Sequence, residues 1–81
     1  MLIHSAYELA LLIRNRRKQL KLTQKEMSEL VGLQQKTISA MENNPENARI
    51  TTLLRVLSAL NININLSPKE ESDNIQWVDE W

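Results

Sequence analysis

Gly32 is the only glycine in this chain of 81 residues, and it stands between two short amphipathic segments. Before it, Thr23-Gln24-Lys25-Glu26 has the spacing of a capping box, in which threonine and glutamate satisfy each other's free backbone donors at a helix start. Met27, Leu30 and Val31 then give that helix an expected buried face. Glycine adopts the left-handed conformation that ends a helix and turns the chain sharply. Beyond it, the pattern predicts a second short helix from about Gln34 to Asn43, with Ile38 and Met41 inward. Asn44-Pro45 stops that helix, because asparagine tolerates a left-handed cap and proline cannot extend the helix. Thr23 to Pro45 therefore reads as two capped helices joined by one tight turn.

The flanks supply the rest of a small helical domain. Ser5-Ala6-Tyr7-Glu8 is another capping box, opening a first helix whose core face is Leu9, Leu12, Ile13 and Leu20, with Arg14, Arg16, Lys18 and Lys21 largely on another face. Residues 46–50 form a polar loop, after which Thr51 or Thr52 is the expected cap of a helix carrying Leu53, Val56, Leu57 and Leu60 at i, i+3, i+4, i+7 spacing. Ile62-Asn63-Ile64-Asn65-Leu66 alternates strictly with period two, as a half-buried strand does, and Pro68 ends it. The expected fold is all-α, with four to five helices plus this one C-terminal strand.

A lone strand leaves its backbone groups unpaired. Pairing with the same strand of a second copy about a two-fold axis removes that problem and buries Ile62, Ile64 and Leu66, so a homodimer is expected. The alternative is an extended segment lying on its own subunit's core. An 81-residue chain is near the lower size for a self-sufficient core, and with no cysteine it has no disulfide or thiolate metal site to add stability. Both facts favour oligomerisation.

Zero net charge conceals a division. Residues 1–66 carry nine Lys and Arg against five Glu, whereas residues 67–81 carry one Lys against five acids. The expected organisation is a basic domain over 1–66 and a flexible acidic tail over 67–81. A basic body suits a polyanionic partner, and an acidic tail stays clear of it or serves another. No apolar run approaches the roughly 20 residues of a membrane span, and no secretory leader pattern is present. A soluble cytoplasmic protein without membrane association is the expectation.

The helix after Gly32 carries the binding chemistry. Gln34, Gln35, Lys36 and Ser39 share its outward side. A glutamine amide pairs bidentately with the N6/N7 edge of adenine, and lysine takes guanine O6/N7 or phosphate. Gln24, at the start of the preceding helix, can bond a base or a phosphate, while Thr37 and Asn43 flank the reading face as backbone-positioning contacts. A surface Gln or Lys is ordinarily just solvated; the constellation is what points to a DNA groove.

Leu22-Thr23-Gln24-Lys25-Glu26-Met27, Gly32, Gln35-Lys36-Thr37-Ile38-Ser39 and Glu42 resemble the signature of the lambda-repressor-like helix-turn-helix family in its Cro/C1 (Xre) branch. The resemblance covers Leu9 to Leu60. It implies that Gln24 touches phosphate, that residues 34–36 and 39 face bases, and that Arg17 of the first helix pairs with Glu42. The chain departs from the pattern with Lys21 where glycine is usual, Ser28 where alanine is common, Gln34 where a capping serine is common, and Met41 at a frequently aromatic site.

Thr37-Ile38-Ser39, Glu42 to Asn47, Thr51-Thr52, the alternating strand and the terminal Glu80-Trp81 are more narrowly similar to antitoxins of Hip-type toxin–antitoxin modules. That resemblance implies a dimer that binds its own operator DNA, through palindromic half-sites in the major groove, and that also binds and restrains a serine/threonine kinase toxin, which acts as corepressor. Trp77 and Trp81, two of only three aromatic residues, are then anchors of a toxin-binding tail. A stand-alone phage-type repressor is the alternative, and it has no need of a tryptophan tail.

Catalysis is not expected. His4 is the only histidine, ahead of the first helix and without a cysteine or carboxylate cluster near it in sequence. No glycine-rich phosphate loop, metal-ligand set or cofactor motif is present.

Overall fold

A computed structural model describes residues 2–68 of the chain. The tail from residue 69 onward, with Trp77 and Trp81, lies outside the described residues. Four α-helices follow one another: α1 (Ala6–Gln19), α2 (Gln24–Val31), α3 (Gln35–Asn43) and α4 (Ile50–Ala59), with a 3-10 turn at Pro45–Asn47 between the last two. Each contributes to one core: Ile13 from α1, Met27 and Val31 from α2, Ile38 and Met41 from α3, and Val56 and Leu57 from α4, with Leu60 just past its end.

Local chemistry explains most of the helix ends. Thr23 Oγ1 accepts from Glu26 N at 3.0 Å while Thr23 N donates to the Glu26 carboxylate at 2.9 Å, so this capping box is complete. At α1, Ser5 Oγ accepts from Glu8 N, but the Glu8 carboxylate accepts from His4 N instead of Ser5 N. The expected box is therefore half formed and displaced by one residue. Gly32 closes α2 in the left-handed region at φ 80°, with its own N–H and that of Leu33 both donating to Ser28 O.

Four expectations are corrected. Leu30 is 58% exposed, not buried. The buried arc of α2 is Met27, Ser28 and Val31, and at about 100° per residue Leu30 falls about 60° outside it. Leu20 is also exposed, because it is the C-cap of α1 and no longer on the helical face. Asn44 ends α3 at φ −140°, not left-handed, since Pro45 begins a 3-10 turn directly. Finally, α4 starts at Ile50 with Arg49 as its N-cap and no side-chain cap, which places Thr51 and Thr52 inside the first turn.

Ser28, in place of a common alanine, is buried, and its hydroxyl donates to Lys25 O at 2.6 Å. The i−3 carbonyl thus satisfies a hydroxyl that would otherwise be costly to bury. Lys21, in place of glycine, sits in the left-handed region at φ 60°.

The strand expected over Ile62–Leu66 is not formed in the single chain: residues 62–68 have no regular secondary structure. Ile62 is half-buried on the subunit's own core, and its N–H donates to Leu57 O at 2.9 Å. Of the three residues expected at a dimer strand, only Ile64 and Leu66 stand exposed. Arg16 holds the start of this segment: its Nε donates to Leu60 O at 3.0 Å, so a residue of α1 caps the end of α4.

Candidate nucleic-acid interface

A buried ion pair determines how α3 sits. Arg17, the residue after Arg16, turns inward and grips Glu42 with two bonds, Nε to Oε2 at 2.8 Å and Nη2 to Oε1 at 3.1 Å. Its remaining nitrogen, Nη1, donates to Leu22 O at 2.9 Å, in the link between α1 and α2. The Glu42 side chain is only 1% exposed. The planar guanidinium suits this task because it can serve a carboxylate and a carbonyl from one rigid fork. One arginine thereby joins α1, the α1–α2 link and the far end of α3.

Gln24 joins the same cluster. Its Nε2 donates to Glu42 Oε1 at 3.1 Å, so the first residue of α2 is tied to the end of α3. Among the described residues, no buried side-chain polar atom of this network lacks a partner.

The other candidate contacts lie along α3. Gln34 is its N-cap and makes no side-chain capping bond, so the amide is free. Gln35 and Lys36 follow in the first turn, both exposed, and Thr37 and Ser39 are half-buried. Gln35, Ser39 and Asn43 are four residues apart and fall in one line along the helix, and Asn43 Nδ2 donates to Ser39 Oγ at 3.2 Å. The structure therefore sets Gln35, Ser39 and Asn43 in one line on α3 and tethers Gln24 at the side. Lys36 and Thr37 lie about 100° and 160° round the helix from Gln35, where both line a groove toward α4.

Two residues gained significance that no sequence pattern indicated. Arg49, counted only as a charge before, shares with Lys36 the lining of an open groove of about 640 Å³ between α3 and the start of α4. Arg16 is the other, through its bond to a carbonyl 44 positions away. Neither contact leaves a local signature in sequence, because both depend on the packing of distant elements. Among the described residues no group of three or more His, Cys, Asp or Glu is placed to hold a metal ion, and no helix is long and apolar enough to cross a membrane.

Known proteins share this arrangement. A helix-turn-helix family model matches residues 13–66. Antitoxin HipB of Escherichia coli strain K12 is 35% identical over 82 residues, covering 93% of each chain. The chain belongs to the HipB antitoxin family. HipB of Escherichia coli O6:H1 is 34% identical, over 93% of this chain and 87% of that protein. Among solved structures, HipB in a HipA–HipB–O2–O3 complex superposes with a TM-score of 0.79 at 35% identity, over 84% of this chain and 96% of that one. HipB in a complex with an O4 20-mer gives the same TM-score and coverage. The four-helix arrangement around Gly32 is thus the HipB fold.

Proposed function

We propose that this protein is the antitoxin of a type II toxin–antitoxin module, a DNA-binding dimer that represses its own operon and restrains a HipA-like serine/threonine kinase. The observation that carries this reading is the likeness to HipB over 93% of both chains, joined to solved complexes in which HipB is held with HipA and with operator DNA. On this reading the start of α3, with Gln34, Gln35, Lys36 and Ser39, enters the major groove, while Gln24, Thr37 and Asn43 hold the backbone. Exposed amides on a helix whose base is clamped by a buried ion pair support that assignment, since base discrimination needs rigid presentation.

The dimer forms when the Ile62–Leu66 segments of two copies pair as a two-stranded ribbon. Exposed Ile64 and Leu66, together with backbone groups of residues 63–66 that have no partner among the described residues, support it. Residues 67–81, beyond the domain of residues 1–66, serve the kinase, with Trp77 and Trp81 as anchors; such a protein works in the cytoplasm and catalyses nothing itself.

Two measurements test this. Affinity capture of the protein from native cells recovers a kinase-fold partner; recovery of the protein alone, from cells expressing its operon, removes the antitoxin layer and leaves a repressor. Gln35→Ala weakens binding to the operon's own upstream DNA by about 1–3 kcal/mol and relaxes discrimination at one base pair per half-site. Equal loss on operator and random duplex would make Gln35 a phosphate contact.

A further inference from the structure

The bond from Gln24 to Glu42 gives the buried ion pair a second role. An amide nitrogen carries two hydrogens. One of those on Gln24 Nε2 is used by Glu42 Oε1 at 3.1 Å. The other, on a residue half-exposed at the first turn of α2, remains for an acceptor outside. A glutamine side chain free in solution rotates and presents its carbonyl as readily as its NH2, and a phosphate rejects the carbonyl. Glu42 removes that choice, because a carboxylate accepts only and cannot face an amide oxygen. Arg17 neutralises the same carboxylate through two bonds, so the amide does not lie beside an uncompensated negative charge.

We propose that Glu42 is a positioning residue for phosphate recognition, holding the Gln24 amide with its NH2 end fixed at the N-terminus of α2. The inference rests on the DNA-binding reading above and deepens it. Arg17, Glu42 and Gln24 form a chain of contacts running from the interior to the DNA backbone. The same carboxylate that fixes the angle of α3 also fixes the hydrogen-bond polarity of the residue beside it. Base reading and backbone grip are then set by one group, which keeps them in register.

The test is a double-mutant cycle on the duplex that the wild-type protein selects from a randomised library. Arg17→Met/Glu42→Met removes the pair together and leaves no stranded buried charge. In the wild-type background Gln24→Ala lowers affinity roughly tenfold per half-site, as loss of a hydrogen bond to a charged group does, and abolishes ethylation interference at one phosphate. In the Met/Met background interference at that phosphate is weakened and Gln24→Ala costs clearly less than in the wild-type background. An equal loss in both backgrounds, or interference undiminished in the Met/Met variant, overturns the proposal.

A second measurement needs no substitution in the core. Side-chain amide ¹⁵N relaxation of the free wild-type protein finds Gln24 Nε2 as rigid as the backbone while Gln34 and Gln35 are mobile. A Gln24 amide as mobile as those two overturns the proposal even if the Met/Met variant does not fold. Failure of the wild-type protein to select any duplex counts against the DNA reading instead, and the relaxation result still decides whether Glu42 holds Gln24.

Discussion

The Thr23–Asn43 unit is poorer in apolar residues than the Ile62–Leu66 segment, seven of 21 against three of five, and yet it is the segment that is left largely exposed. In the first, Met27, Val31, Ile38 and Met41 are buried, a complete capping box opens α2, Gly32 makes the turn, and the ion pair locks the far end. In the second, only Ile62 reaches the core; Ile64 and Leu66 stay exposed, and none of residues 63–66 pairs its backbone with another described residue. The first unit is complete within one chain. The second has the alternating composition of a strand and no regular secondary structure among the described residues. The two adjacent arginines of α1 divide along this line, Arg17 bracing α3 and Arg16 bracing the start of the C-terminal segment.

The contrast breaks most severely at Glu42. Glu42→Ala leaves the Arg17 guanidinium buried without its carboxylate, which costs about 3–5 kcal/mol. A domain of this size is stable by only on the order of 4–12 kcal/mol, so the variant loses a large share of its stability and melts well below the wild-type protein by circular dichroism. A loss under about 1 kcal/mol would mean that α3 is held by apolar packing alone, against the usual cost of a stranded buried charge.

Ile64→Asp attacks the other region and has the opposite signature. Its side chain is already exposed in the single subunit, so the fold of the subunit survives. A two-fold axis places the substitution twice in one interface, and losing two buried isoleucines costs roughly 3–6 kcal/mol of dimer stability. Sedimentation equilibrium then finds a helical monomer. A variant that stays dimeric would place the interface elsewhere on the surface.

What could be read from sequence follows the same division. The Thr23–Glu26 capping box, the Gly32 turn and the inward positions Met27, Val31, Ile38 and Met41 are all visible in a window of a few residues, because the physics that creates them is local. Leu30 shows how short helices mislead: an eight-residue helix supports more than one apolar arc, and here the buried arc takes in Ser28 and leaves Leu30 outside. The cap of α4 was misassigned because the 3-10 turn at Pro45–Asn47 starts that helix at Ile50, before either threonine. Contacts of the site that span the fold, Gln24 with Glu42 and Arg16 with Leu60, have no local trace at all. Arg17 with Glu42 was reached only through family resemblance.

The smallest effects belong to two left-handed turns, at Gly32 within the first region and at Lys21 just before it. Gly32 at φ 80° has nothing within 4 Å of an added Cβ, so Gly32→Ala meets no clash and pays only conformational strain, about 1–2 kcal/mol. Lys21 makes the equivalent turn between α1 and α2 at φ 60° and already carries that strain. The backbone bonds there, Lys21 N to Lys18 O at 2.9 Å and Leu22 N to Arg17 O at 3.1 Å, require the conformation and not the side chain. Lys21→Gly therefore relieves the strain and gives part of it back through the greater freedom of glycine in the unfolded chain. The expected net gain is roughly 0.5–1 kcal/mol, a rise of a few degrees in Tm. Lys21→Ala serves as the control, since it removes the charge without changing the backbone preference and leaves Tm nearly unchanged. If alanine stabilises as much as glycine, the benefit comes from deleting a cation in a basic helix end. If only glycine does, the two turns obey one rule, and this chain has kept a lysine where its backbone favours glycine.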